Sequence, residues 1–193
     1  MAENHVVSAD IPDWNRERCR SFWDPSRRLL RSIRKYQKWR DCAFPWYFIS
    51  KYWVFQHRFW SAVTGADIPL NSKLGGGLVL LHPNGVVIFP GSVIGPNCLI
   101  FQQVTIGLGG SKPGAPMLGG HVDVGAGAKI LGGVRIGSHA LIGANAVVLQ
   151  DVPSGATAVG VPAKIVYGTE HQLPADGSRG RCLAIECLRV SHD

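Results

Sequence analysis

An aliphatic residue returns every six positions through the middle of this chain. Ile68, Leu74, Leu80 and Val86 lie six apart, and after a slip of two residues the series restarts at Ile88, Ile94, Ile100 and Ile106. It resumes in the same phase at Val124, Ile130, Ile136, Ile142 and Val148. A period of six matches neither the 3.6-residue repeat of a helix nor the two-residue alternation of a hairpin strand. It is the hexapeptide pattern of a parallel β-helix, in which short strands form the flat faces of a prism and each aliphatic stacks inward on its counterpart one coil away. Four residues after each aliphatic the position is often small or β-branched, as at Ser92, Cys98, Val104, Ala128, Val134, Ala140, Ala146 and Val152, which lets the chain turn the corners.

The repeat divides the chain. Residues 1–66 precede it, residues 67–168 carry it, and 169–193 form a polar, mixed tail. Within it, "GLGGSKPGAPMLGGHVD" (107–123) is rich in Gly and Pro and reads as an extended loop leaving the prism. The expected architecture is an all-β main domain, a parallel β-helix of hexapeptide repeats, preceded by a short α-helical region.

Residues 1–13 read as a loose N-terminus. The segment after them holds all six Trp, and between Trp14 and Trp60 there are twelve Lys or Arg against three Asp or Glu, more than the whole chain's net charge of +7. "DPSRRLLRSIRKYQKWRDC" places Leu29, Leu30, Ile33, Tyr36 and Trp39 at helical spacing, with Asp24 as cap and Pro25 in the first turn. "PWYFISKYWVFQHRFWSAVTG" predicts a second helix, opened by Pro45, closed near Gly65 and aromatic nearly all round. The favoured reading is a helical pair packed on the main domain or on another subunit. The sharper one is peripheral contact of 14–65 with a membrane surface. Nucleic acid is not an expected partner.

Five scattered cysteines without metal-ribbon spacing predict free thiols in a reducing compartment, with Cys98 in the core. The first fifteen residues are polar, and no apolar run reaches the length of a membrane span, so a cytoplasmic protein is expected.

The motifs "TGADIPLNSKLGGGLVLLHPNGVVI", "QQVTIG", "VGAGAKILGGVRIG", "IGANAVVLQDVP" and "AVGVPAKIV" together resemble the serine acetyltransferases and their close relatives within the hexapeptide acyltransferases, over about residues 60–168. The resemblance implies a left-handed β-helix and a homotrimer or dimer of trimers with active sites between subunits. It also implies transfer of an acetyl group from acetyl-CoA to a hydroxyl. It makes His82 the general base and Asp67, fifteen residues earlier, its orienting carboxylate. An alcohol must lose its proton as it attacks a thioester, and an imidazole held by a carboxylate can take it. The resemblance assigns Gly107, Ala126, Gly143 and Ala144 to the CoA groove, where a pantetheine arm needs small neighbours. No metal is implied.

The acceptor side departs from the family. Leu81 stands where an ammonium-binding aspartate is expected, Gly114 and Ala115 match an Arg-His pair of the loop, and Pro69-Leu70 replaces a His-Pro. His121 remains as a substrate contact beside Leu81. The acceptor is accordingly expected to be a small-molecule or sugar hydroxyl, with L-serine among the alternatives. Two further readings compete: a γ-carbonic-anhydrase-like zinc enzyme using His82, His121 and His139, and a non-catalytic assembly or membrane-binding module that kept the fold.

Overall fold

The computed structural model of the chain describes residues 7–40 and 47–167. Cys42, Pro45, Cys182, Cys187 and the tail expected at 169–193 lie outside the described residues. Two α-helices come first, α1 (Pro25–Trp39) and α2 (Tyr47–Thr64). Strands follow in chain order: β1 (Lys73–Leu74), β2 (Val79–Leu80), β3 (Val87–Ile88), β4 (Val93–Ile94), β5 (Leu99–Ile100), β6 (Thr105–Gly107) and β7 (Met117–Leu118). After them come β8 (Asp123–Val124), β9 (Lys129–Leu131), β10 (Arg135–Ile136), β11 (Leu141–Ile142), β12 (Val147–Val148), β13 (Thr157–Val159) and β14 (Lys164–Val166).

These strands make the three faces of a left-handed parallel β-helix. The first face is β1-β4-β7-β10, the second β2-β5-β8-β11-β13-β14 and the third β3-β6-β9-β12. All neighbours are parallel except β14, which folds back antiparallel on β13 and ends the stack. Every aliphatic of the six-residue series is buried, from Ile68 to Val148, and so are the small positions four residues on. Each hexapeptide thus sends two side chains inward, and the corner residues fill the core as well as turning the chain.

A regular coil takes eighteen residues, as in the pairings Val87↔Thr105, Asp123↔Leu141 and Lys129↔Val147. Two insertions break this rule. The pairs Lys73↔Val93 and Val79↔Leu99 are separated by twenty residues, because the link from β2 to β3 is two residues too long. The pairs Val93↔Met117 and Leu99↔Asp123 are separated by twenty-four, because the link from β6 to β7 is six residues too long. Six extra residues preserve the phase, so Leu118 is buried in register with Ile94 and Ile136. The loop expected at 107–123 is therefore shorter. It leaves the prism at Leu108 and rejoins it at β7, and His121 belongs to a regular corner.

The first coil of a solenoid has no coil beneath it, so its outward backbone groups need other partners. The helices supply them. Arg34 of α1 donates to the carbonyls of Leu74 and Gly75 at 2.6 Å each, and Gln37 donates to Leu70 and Ser72 at 2.9 Å each. His57 of α2 meets the Ile68 carbonyl at 2.8 Å. Leu29, Leu30 and Ile33 are fully buried in the same cluster as the prism residues. The helical pair packs on the main domain and closes its end, as the periodicity of Leu29, Leu30 and Ile33 predicts. No helix among the described residues is long and apolar enough to cross a membrane.

The N-terminus is not loose over its described part. Asn97 receives the Asp13 N–H on its side-chain oxygen at 2.8 Å and donates to the Ser8 and Ile11 carbonyls at 2.7 Å each. Residues 8–17 form a strap across the corner between the first and second faces. The approach is close: a Cβ on Gly120 would collide with the Ala9 carbonyl.

Candidate functional site

The β-helix corners need left-handed backbone, and the residues that supply it stack in columns. Gly77, Asn97, His121, His139 and Gly155 form the column between the first and second faces, and Gly85, Gln103, Gly127 and Asn145 the column between the second and third. His82 belongs to neither. It has φ of 55° inside the link from β2 to β3, the corner that carries the two extra residues. A non-glycine residue in this region costs of order 1 kcal/mol, and such a cost concentrates where a side chain must be aimed. The extra residues push Leu81, His82 and Asn84 outward, and all three are exposed.

Asp67 lies one coil below that corner. It pairs in parallel with Val87, its N–H bonding the Val86 carbonyl at 2.8 Å and its carbonyl taking the Ile88 N–H at 3.0 Å. Asp67 and His82 thus share one corner on adjacent coils, and both side chains reach solvent. Among the described residues no hydrogen bond joins the carboxylate to the imidazole.

The residues expected along a CoA groove divide between two corners. Ala126 and Ala144 are stacked on the His82 corner, where the Asn145 N–H bonds the Ala126 carbonyl at 2.8 Å, and Gly143 sits beside them. Gly107 is on the next corner, at the end of β6, buried at the root of the outgoing loop. Gly143 has a local reason to be glycine, since a Cβ there would come within 2.7 Å of Val159. A Cβ on Gly107 would meet nothing closer than 3.8 Å, so packing within the chain does not require its smallness.

His121 stands apart from His82. It occupies the first column with His139 one coil above, their Nδ1 atoms 2.9 Å apart and their rings edge to face. Burial lowers the pKa of His121, and the positive charges of His139 and Arg16 add to this while Asp123 opposes it. Asp123, on β8 beside them, is raised by burial, with His121 and Arg16 pulling the other way. Cys98 is core, as its position predicts, and burial pushes its thiol up to about 11. Among the described residues no three His, Cys, Asp or Glu side chains gather as a metal site, and His82 is a corner away from the His121–His139 pair.

His82 opens onto a cleft of about 270 Å³ that sequence reasoning does not find. One wall is Leu78–Pro83. The other is Arg16 of the strap with Pro25, Ser26 and Arg27 at the start of α1. Arg16 and Arg27 line the cleft beside His82 only because the strap and α1 fold back over the prism, and the sole signal of them in the sequence is the basic excess of the N-terminal segment.

No family model matches the chain. The serine acetyltransferase of Synechococcus elongatus is 41% identical over 120 residues, covering 61% of this chain and 49% of that protein. The solved structure of Neisseria gonorrhoeae serine acetyltransferase in complex with serine matches with TM-score 0.61 at 37% identity, over 75% of this chain and 57% of that one. A serine acetyltransferase in complex with CoA matches with TM-score 0.62 at 35% identity, over 75% and 58%. The chain is similar to the serine acetyltransferases, among the hexapeptide-repeat acyltransferases. It spans about half the length of the relatives it matches. Against that family, Leu81 is 40% exposed at the mouth of the cleft and offers no charge to an ammonium group. Gly114 and Ala115 lie in the outgoing loop.

Proposed function

We propose that the chain is an acetyl-CoA-dependent O-acetyltransferase acting on a small-molecule or sugar hydroxyl, with His82 as general base and Asp67 as its orienting carboxylate. The observation that carries this reading is the position of His82: aimed into a cleft by an outsized corner, with Asp67 one coil below, on a β-helix whose relatives are serine acetyltransferases solved with CoA and with serine. His82 takes the acceptor's hydroxyl proton as the oxygen attacks the thioester carbonyl. A new ester C–O bond forms, the C–S bond breaks, and the protonated imidazole returns its proton to the departing CoA sulfur. Asp67 stabilises that imidazolium and fixes the ring when the cleft closes on substrate, because catalytic hydrogen bonds often tighten only in the complex.

Ala126, Gly143 and Ala144 line the CoA arm, with Gly107 at the entry of the loop. Their corner exposes little side chain, which leaves backbone N–H groups available to a developing oxyanion. The working unit is a homotrimer. Val87, Met117 and Leu141 point outward from the faces and are 39–47% exposed in the single chain, and subunit packing covers such residues. Dimerisation of trimers through the helical region is the alternative assembly. Catalysis is tested by thiol release from acetyl-CoA with sugars, hydroxy acids and L-serine as acceptors, comparing the wild type with Asp67→Asn. Loss of the carboxylate is expected to lower kcat by about 10²-fold or more. Undiminished turnover in the variant would remove Asp67 from the mechanism.

A further inference from the structure

The cleft in front of His82 carries positive charge without a free negative one. Arg16 has no ion-pair partner among the described residues, and one of its guanidinium nitrogens donates to the Asn97 carbonyl. Arg27 is pinned beside it, Nε donating to the Arg16 carbonyl at 2.9 Å. Asp24 and Glu17, the carboxylates beside the cleft wall, are already engaged, and Asp123, which also feels the Arg16 charge, stands on β8 outside the cleft lining. Asp24 takes Arg27 Nη1 at 3.0 Å and the Arg20 N–H at 3.2 Å. Glu17 takes Arg34 Nη2 at 2.8 Å and the Leu78 N–H at 3.0 Å. The remaining wall, Leu78–Leu81, is apolar.

A ligand that covers this cleft must suit its charge pattern, because taking the half-buried Arg16 charge fully out of water without a partner is costly. A neutral sugar would leave the Arg16 charge unanswered. A zwitterionic amino acid would satisfy the arginines but bring an ammonium group that meets no free carboxylate there. A hydroxylated anion without an ammonium group satisfies both conditions. Arginine matches carboxylate and phosphate oxygens equally well.

We propose that the acceptor is an anion, a hydroxyl compound bearing a carboxylate or a phosphate that Arg16 and Arg27 hold while its hydroxyl meets His82. This rests on His82 being the base. Anion recognition is then supplied by the N-terminal strap and the start of α1, not by the loop after β6.

The test is acetyl transfer by the full chain to four acceptors: glucuronate, glucose 6-phosphate, glucose and L-serine. The wild type is compared with Arg16→Gln and with an Asp24→Asn/Arg27→Gln double variant, which removes both members of that ion pair together. In the wild type at least one of the two anions is expected to have a kcat/KM at least tenfold above glucose and L-serine, and which one separates carboxylate from phosphate recognition. Each variant is expected to raise KM for that anion about tenfold more than KM for glucose, with kcat less affected. Equal or better use of glucose or L-serine overturns the anion proposal and leaves the acetyltransferase standing. So does an anion KM that moves in neither variant. Absence of acetyl transfer to every acceptor defeats the catalytic reading of His82, and this proposal with it.

Discussion

His121 and His139 face each other across adjacent coils with their Nδ1 atoms 2.9 Å apart. Such a contact needs one N–H and one lone pair, so it exists only while at least one ring is neutral. The fold holds His121 below its ordinary value of 6.5, first through burial. A depressed folded-state value means that the unfolded chain takes up the proton first. The stability from neutral His121 is therefore full above about pH 6.5 and is lost as pH falls through the depressed value. His121→Asn keeps a residue that tolerates the left-handed corner, as Asn97 and Asn145 do in equivalent places. Urea unfolding at pH 7.5 and pH 5 is expected to show a clear acid loss in the wild type and a smaller one in the variant.

Asp123 carries the opposite sign. Its carboxyl is raised by burial, so its contribution is full below the ordinary 3.8 and is lost as pH rises through the raised value. Asp123→Asn is expected to leave Tm at pH 7 unchanged or higher, and to lower it relative to wild type only in acid. A marked fall in Tm at pH 7 would show that the Arg16 and His121 charges outweigh burial.

The strap depends on small residues and one asparagine. Gly120→Ala puts a methyl group into the Ala9 carbonyl, and Asn97→Ala removes three hydrogen bonds to residues 8–13. Each is expected to cost about 1–3 kcal/mol. Limited proteolysis is expected to cut the N-terminal segment faster in both while the prism survives. Because Arg16 rides on the strap, both variants are also expected to weaken acceptor binding.

Ile100 is fully buried between Leu80 and Val124 on the second face, in the middle of the column. Ile100→Ala is expected to cost about 2–5 kcal/mol in chemical unfolding, since neighbouring coils are tied by backbone pairing and cannot collapse into the hole.

Arg34 ties α1 to the first coil by the Leu74 and Gly75 carbonyls and by Glu17. Arg34→Met strands a nearly buried carboxylate and two carbonyls, and is expected to cost about 3 kcal/mol. Glu17→Gln placed on top is expected to return part of that loss, which a double-mutant cycle in urea reads directly.

The prism was legible because its physics is local and repeated. Each aliphatic from Ile68 to Val148 announces its own inward position, and the slip of two residues before Ile88 marks the corner that His82 occupies. Leu118 was missed because the glycines and prolines around it obscure a strand that keeps phase through a six-residue insertion. The strap was illegible because nothing near Ser8 or Ile11 signals Asn97, eighty-six or more residues away. Arg16 and Arg27 were hidden for the same reason: the chain folds them onto the far wall of the His82 cleft, and composition alone shows only an excess of positive charge.

The most direct measurement is the rate of acetyl transfer by His82→Asn. Asparagine accepts the left-handed backbone at this corner, so the fold and CoA binding should persist. The expected result is a kcat lower by about 10²–10⁴-fold with an unchanged unfolding midpoint. A variant that binds CoA, folds as the wild type does and transfers acetyl groups at the wild-type rate would contradict it.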